Sequence, residues 1–436
     1  MKNLALHWKI IIGMFAGILF GAIAVRTGWQ EFTIDWIKPF GVIFINLLKL
    51  IAMPLIVASL IKGVSDLKDI SKLSKMGGRT IAIYLMTTMI SVSVGLLVVN
   101  IVKPGKTIKE ATRIEMMEKF GGENGAGDKI ALAEQQKQSG PLQALVDLVP
   151  NNILEAAADN GQMLKVIFFV LMFGIGMILI PESEAAPVKS FFDGINSVIL
   201  KIIDLIMECA PIGVFALMAS LIVELPSVDV FIALLWYAAC VVFGLGFMTI
   251  VFYPSMVKLF TGCGYAFFAK GIAPAQLVAF STSSSAATLP VTMERAEEHL
   301  GVDDEVASFV LPIGATINMD GTALYQGVAA VFIAQAFNLE LSLSAQLGIV
   351  MTATLASIGT AAVPSAGMVM LVIILGQAGI PEAGLALIFA IDRPLDMLRT
   401  VTNVTSDTSV SMLVAKSLGK LGEPSAEPVN AVTDQG

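Results

Sequence analysis

Within residues 271–415 one pattern occurs twice: an apolar segment interrupted by small polar residues, then a second apolar segment that carries charge. The first interrupted segment, 271–300, has the tip Ser281-Thr-Ser-Ser-Ser-Ala-Ala-Thr-Leu-Pro290, and the second, 343–378, has Ala356-Ser-Ile-Gly-Thr-Ala-Ala-Val-Pro-Ser-Ala-Gly367. Each has about 10–15 apolar residues on either side of its tip, and at about 1.5 Å per residue neither arm crosses a hydrocarbon core of about 30 Å. Arms too short to span, joined by a tip that breaks helices, predict two re-entrant helical hairpins. Duplicated, Gly/Pro-interrupted segments are also the best sequence pointer to a midplane transport site.

The rest of the chain is as apolar as that reading needs. Of 436 residues 56% are hydrophobic and only 14% charged, with mean hydropathy +0.81; soluble domains carry about 25% charged residues. The sequence predicts an all-α polytopic membrane protein. No basic run is present and the pI is near 5.0, so nothing suggests a nucleic-acid partner. Cys209, Cys240 and Cys263 lie in or beside apolar runs with no metal-site spacing, and read as unpaired packing residues. The two histidines are His7 and His299. Neither a histidine nor a lysine stands near the serine run, which argues against a serine hydrolase and against enzymatic activity in general. Lys2 and Lys9 precede the first apolar segment without an obvious cleavage site, so the segment reads as a retained span.

Apolar segments 10–25, 36–61 and 80–102 are long enough to cross a bilayer. The connector 62–79 carries Lys62, Lys68, Lys72, Lys75 and Arg79 against Asp66 and Asp69. The positive-inside rule then puts the N-terminus inside, 26–35 outside, 62–79 inside and 103–140 outside. Segment 103–140 is polar and glycine-containing, and reads as a flexible external loop. Between 141 and 180 the apolar run is broken by Pro150-Asn151-Asn152 and by Asp159-Asn160-Gly161, which predicts a segmented span. Segments 188–224 and 228–256 follow; Asp193, Lys201, Asp204 and Glu208 in the first suggest structural pairing.

Two stretches carry the chemistry. In Asn318-Met-Asp-Gly-Thr322 a regular helix would point Asn318 and Asp320 to opposite sides, about 200° apart. An unwound backbone at Asp320-Gly321 avoids this and frees carbonyl oxygens that need a partner inside a membrane. Either a bound hard cation or a hydrogen-bonded kink satisfies them. In 392–407 the residues Asp392, Asp396, Arg399, Asn403 and Asp407 fall on one helix face, within roughly 80° of arc. An intramembrane carboxylate costs about 2.5–3.5 kcal/mol on insertion scales. Asp320, Asp392, Asp396 and Asp407 are opposed only by Arg399 and Arg393, an excess of negative charge that suits bound cations or protons. Arg399 can bind a carboxylate bidentately and Asp396 an ammonium; the competing arrangement is an internal Arg399–Asp396 ion pair. Half-helices starting after Ser285 or Thr360 would add free backbone N–H groups for an anion.

These residues, Thr282-Ser-Ser-Ser-Ala-Ala-Thr-Leu-Pro290, Asn318-Met-Asp-Gly-Thr322, Ala356-Ser-Ile-Gly-Thr360 and Asp396-Met-Leu-Arg-Thr-Val-Thr-Asn403, together with Tyr84-Leu-Met-Thr-Thr88, resemble the glutamate transporter family, the dicarboxylate/amino acid:cation symporters. The resemblance covers nearly the whole chain and suits a prokaryotic member. It implies eight transmembrane helices plus the two hairpins, homotrimers in the lipid bilayer of the cell's inner (plasma) membrane with cytoplasmic termini, and elevator-like motion of a transport domain against a scaffold. The scaffold would comprise 1–78 and 141–225; the transport domain would comprise 79–102, span 226–262, hairpin 263–300, span 301–338, hairpin 339–380 and span 381–418. Residues 103–140 would be an external loop and 419–436 a cytoplasmic tail. By position, Asp396 would hold the substrate amino group and Arg399 the side-chain carboxylate, with Thr322 assisting. Ser284, Ser285, Thr400 and Asn403 would hold the main-chain carboxylate, and Val363 and Gly367 would belong to the gate. Sodium would be the co-transported ion, with three sodium sites. Gly314, Asn318, Asn403 and Asp407 would form the first site. Thr316, Met319, Ser357, Ile358 and Thr360 would form the second, and Tyr84, Thr87, Thr88, Asn318 and Asp320 the third. No organic cofactor is implied.

The sequence departs from the family at two points, one of them a segment 103–140 longer than in archaeal relatives. Family members carry a further arginine near the substrate; the two positions it takes are Ser283 and Met397 here, and Arg393, one turn away, is the candidate replacement. The expected activity is sodium-coupled uptake of aspartate or glutamate, with proton coupling or C4-dicarboxylate transport as the alternative. An ion channel with the same broken helices would have no use for the Arg399–Asp396 pair.

Overall fold

The computed structural model describes residues 6–66, 74–114, 149–158, 163–224, 228–358, 360, 366–381 and 384–422. Among these residues the chain is helical with no strand; the one extended pairing is an isolated bridge between Val302 and Leu421. Asp159-Asn160-Gly161 and most of the 103–140 loop lie outside the described residues.

The first helices are α1 (Leu6–Thr27), α2 (Gln30–Phe32), α3 (Lys38–Asp66) and α4 (Ser74–Val102). Then come α5 (Ile153–Ala158), α6 (Met163–Leu179), α7 (Glu182–Glu208) and α8 (Ala210–Glu224). Asn152 begins α5, its Oδ1 accepting the Leu154 and Glu155 amides at 3.0 and 3.4 Å, so the predicted interruption near 150 is a helix N-cap. α1 lies along α8 through Gly13, Gly17 and Gly21, spaced one turn apart. A Cβ on them would sit 2.4 Å from the Pro211 carbonyl oxygen, 2.4 Å from that of Phe215 and 2.7 Å from Ile222 Cβ. Small residues on one stripe let two helices approach where apolar side chains would hold them apart.

α9 (Val228–Gly246), a π turn (Phe247–Phe252) and α10 (Tyr253–Thr261) form one helical run. The runs Asp229–Thr261 and Met76–Thr107 are long and apolar enough to cross a membrane by length and composition. Many other helices are shorter, or carry proline and charge inside.

The interrupted segments follow. α11 (Tyr265–Thr282) and α12 (Ser285–Glu294) pack on each other across a turn in which Ser283 takes φ +52°. α13 (Asp304–Ile317) and α14 (Asp320–Ala336) are separated by two residues. α15 (Leu343–Ile358) and α16 (Ala366–Gln377) pack on each other, and α17 (Leu385–Leu418) closes the fold. α17 is a single helix of 34 residues despite Pro394. All residues of α14 are buried, between α4, α9, α15, α16 and α17. An all-buried helix carrying Asp320, Thr322, Tyr325, Gln326 and Gln335 must satisfy its polar groups within the protein.

Candidate functional site

The sequence placed the helix break at Asp320-Gly321, and the structure moves it. The break is at Asn318 (φ −99°, ψ 93°) and Met319 (φ −115°, ψ 52°), and Asp320 and Gly321 already belong to α14. The reason is electrostatic. As the first residue of a helix, Asp320 sits where free N–H groups and the positive dipole end favour a carboxylate. Unwinding two residues earlier still separates Asn318 from Asp320, as the alternation required.

Two polar clusters form where α14 meets α17. In the first, the Arg399 side chain is 1% exposed and its Nη2 lies 2.7 Å from Asp396 Oδ1 and 3.0 Å from Asp392 Oδ1. The internal Arg399–Asp396 pair is therefore present. Arg393 Nη1 stands 3.1 Å from Asp396 Oδ2, so one carboxylate holds both guanidinium groups. The Arg399 guanidinium carbon lies 3.9 Å from the centroid of the Tyr325 ring, a cation–π contact. Its Nε and Nη1 are buried and have no hydrogen-bond partner among the described residues. Gly367 lies alongside: a Cβ there would be 2.7 Å from Thr322 Cγ2 and 3.6 Å from Arg399 Nη1.

Asn403 ties this cluster to the break. Its Oδ1 accepts the Gly321 amide at 2.8 Å, and its Nδ2 donates to Met319 Sδ at 3.2 Å and Thr322 Oγ1 at 3.4 Å. Thr322, Gly367, Asp396, Arg399 and Asn403 thus share one neighbourhood. Thr400 instead donates to the Asp396 carbonyl at 3.0 Å. Ser284 is the N-cap of α12, its Oγ accepting the Ala287 amide at 3.2 Å, and Ser285 is the buried first residue of that helix. The half-helix therefore starts at Ser285, not after it, and it packs against α17. Val363 lies outside the described residues.

The second cluster surrounds Asp320 and Asp407, both buried. Asp320 Oδ1 accepts the Thr88 hydroxyl at 2.5 Å, and Oδ2 accepts Tyr253 at 2.6 Å and Ser406 at 2.7 Å. Ser91 donates to the Asp320 carbonyl at 2.9 Å. Asn318 Nδ2 donates to Asp407 Oδ1 at 2.8 Å and Ser406 Oγ at 2.9 Å. Asn318 Oδ1 is buried without a hydrogen-bond partner among the described residues. Gly314 flanks the pair, because a Cβ there would fall 2.4 Å from Tyr84 Oη and 2.5 Å from Asp407 Oδ1. Tyr84 donates to the Val310 carbonyl at 3.0 Å, Thr87 donates to the Tyr84 carbonyl, and Thr88 Oγ1 lies 2.8 Å from that same carbonyl. Tyr84, Thr88, Gly314, Asn318, Asp320 and Asp407 are thus brought together, with Thr87 at their edge.

The residues expected to form another cation site make their side-chain hydrogen bonds within their own segments. Thr316 donates to Pro312 at 2.6 Å, Ser357 to Thr354 and Thr360 to Ala356 at 2.8 Å each, all backbone carbonyls of their own segments. Ile358 ends α15, and α13 packs on α15. The Ser357 carbonyl accepts the Thr360 amide at 3.2 Å.

Sequence reasoning missed Tyr253, Ser406, Ser91 and Tyr325. A signal existed for two of them. Tyr253 sits in an apolar run, where a buried phenol needs an acceptor, and Ser406 immediately precedes Asp407.

Comparisons with known proteins give the family of the chain. A family model described as the sodium:dicarboxylate symporter family matches residues 6–417. The proton/sodium-glutamate symport protein of Geobacillus stearothermophilus is 34% identical over 423 residues, covering 97% of each chain. The proton/glutamate-aspartate symporter of Escherichia coli is 32% identical over 429 residues, 95% of this chain and 94% of its own. Human excitatory amino acid transporter 3 is 35% identical over 459 residues, 93% of this chain and 83% of its own. With its broken helices and paired acidic clusters accounted for, the chain belongs to the sodium:dicarboxylate symporter family, a family of transporters and not of enzymes.

Proposed function

We propose that the protein is a symporter that takes up acidic amino acids, aspartate or glutamate, coupled to sodium. One observation carries the reading: the two clusters are balanced differently. Around Arg399 two carboxylates meet two guanidinium groups, and Arg399 keeps two buried nitrogens without hydrogen-bond partners. A buried guanidinium with unused donors calls for an anionic ligand, and Thr322 and Gly367 border that edge. Around Asp320 and Asp407 the hydrogen-bonding side chains, Thr88, Tyr253, Ser406 and Asn318, are neutral. Two buried carboxylates with neutral donors, beside the unpartnered Asn318 Oδ1, suit a hard cation. Relatives named as glutamate symporters support the substrate class.

In this reading Asp396 receives the substrate ammonium, displacing Arg393 or sharing the carboxylate with it. Asn403, bonded to both Thr322 and the α14 backbone, links substrate to cations. The protein works as a homotrimer in the plasma membrane with cytoplasmic termini. Eight spans and two re-entrant hairpins, α11–α12 and α15–α16, make up each protomer. α4 and α9 to α17 move as an elevator against the remaining helices, which supply the scaffold. The packing supports that division: α1 lies on α8 and α3 on α7, whereas α14 lies on α4 and α11 on α17.

Relatives whose names carry proton beside sodium, or proton alone, favour one second reading, proton coupling. Uptake of labelled aspartate into proteoliposomes, driven by a sodium gradient alone or a proton gradient alone, separates the two. Sodium-driven accumulation is expected, and equal uptake without sodium would overturn the proposal. Succinate as competitor tests the amino-group requirement placed on Asp396.

A further inference from the structure

We propose that Ser406 is a positioning residue that joins the two acidic halves of the cation site into one cooperative unit. This rests on the sodium reading above. Ser406 is fully buried on α17. Its hydroxyl donates to Asp320 Oδ2 at 2.7 Å and its oxygen accepts from Asn318 Nδ2 at 2.9 Å, while that same Nδ2 donates to Asp407 Oδ1 at 2.8 Å. The result is a continuous hydrogen-bonded path, Asp407 carboxylate, Asn318 amide, Ser406 hydroxyl, Asp320 carboxylate, in which the Asn318 amide donates on both sides.

The donor inventory fixes the direction of each bond. A serine hydroxyl has one hydrogen, and Asp320 takes it. Ser406 Oγ can then only accept, so the group facing it from residue 318 is the amide nitrogen. Both Nδ2 hydrogens are engaged, and Asn318 Oδ1 is turned away, buried and without a hydrogen-bond partner. An unpaired buried acceptor is costly; a cation that it ligates removes the cost. Ser406 therefore holds the Asn318 oxygen in the orientation that serves a cation. It also transmits a change at one carboxylate to the other, because hydrogen bonds in a buried chain polarise one another. An apolar side chain at 406 would leave the Asn318 amide without its second acceptor, held by Asp407 alone.

Tyr253 provides the internal control. It donates to the same Asp320 Oδ2, at 2.6 Å, and makes no hydrogen bond to Asn318. Removing either hydroxyl takes one donor from Asp320; only removing Ser406 cuts the chain. The test is aspartate binding to the purified full-length protein as a function of sodium, for wild type, S406A, S406T and Y253F. The half-saturating sodium concentration is expected to rise about tenfold in both S406A and Y253F, the size of one charge-assisted hydrogen bond. The steepness of the sodium dependence should fall in S406A, remain in Y253F and return in S406T. If S406A does not accumulate, S406C, with its weak thiol donor, carries the same comparison. Unaltered steepness in S406A, or an equal loss of steepness in S406A and Y253F, overturns the role of Ser406 and leaves sodium coupling standing. Wild-type binding that ignores sodium overturns both.

Discussion

The two ends of the polar face of α17 solve the same problem in opposite ways. Toward its N-terminal half, Asp392 and Asp396 are matched by Arg393 and Arg399. Toward its C-terminal half, Asp407 and the facing Asp320 are matched by hydroxyls and an amide. Burial is nearly equal at the two ends, so burial alone does not decide how a carboxylate is stabilised. Breaking one partner of a buried ion pair leaves an uncompensated charge, which makes the first end self-sufficient and sensitive to truncation. Neutral donors leave net negative charge in place, which makes the second end dependent on something added. The first end is a receptor for a charged organic ligand and the second a receptor for cations, in the function proposed here.

Substitutions can separate the two ends, because each should move a different measurement. The largest effect is expected from Arg399→Ala. Truncating one partner of a buried hydrogen-bonded charge pair costs about 2–5 kcal/mol, so aspartate affinity at saturating sodium should fall at least about 30-fold by calorimetric titration. Near-native affinity would remove Arg399 from the ligand site. Next comes Asp320→Asn, which removes charge from the other end. Hydrogen bonds to charged groups are worth about 1.5–3 kcal/mol, and half-saturating sodium should rise by about 10- to 100-fold in uptake assays. An equal effect on aspartate affinity at saturating sodium would erase the distinction between the ends.

Gly314→Ala should act in the same direction as Asp320→Asn but less strongly. Its new Cβ would fall within 2.4 Å of Tyr84 Oη and 2.5 Å of Asp407 Oδ1, and overpacking of this kind costs about 1–3 kcal/mol. A variant whose sodium dependence matches wild type would show that the space beside Asp407 is not used. The smallest effect is expected from Arg393→Ala, whose side chain is 12% exposed. A loss of about 0.5–1.5 kcal/mol, the net worth of a hydrogen bond, would weaken aspartate binding by about two- to tenfold with sodium dependence unchanged. Unchanged transport kinetics would show that Arg393 does not stand in for the missing second arginine.

Much of this was legible along the chain. A run of serines is a weak helix former, and α11 and α12 meet at Ser283 and Ser284, whereas Pro290 is carried inside α12. The polar face of 392–407 followed from helical periodicity, and α17 is continuous through it. The position of the break was read two residues late, because alternation shows that Asn318 and Asp320 must diverge without showing which peptide unwinds. The Ser284 cap shifted the start of α12 by one residue for a similar reason: helix ends are decided by which side chain reaches a free amide.

By itself, then, the sequence determined the apolar class of the chain, the places where its helices break and the set of carboxylates and arginines on α17. Those are local properties, set by side-chain chemistry and a 3.6-residue period. Tertiary structure decided the partnerships. Thr88, Tyr253 and Ser406 come from three helices far apart in the chain and meet at one carboxylate of a fourth. No periodicity encodes such meetings, because a hydrogen bond acts over about 3 Å, and only packing brings distant helices that close.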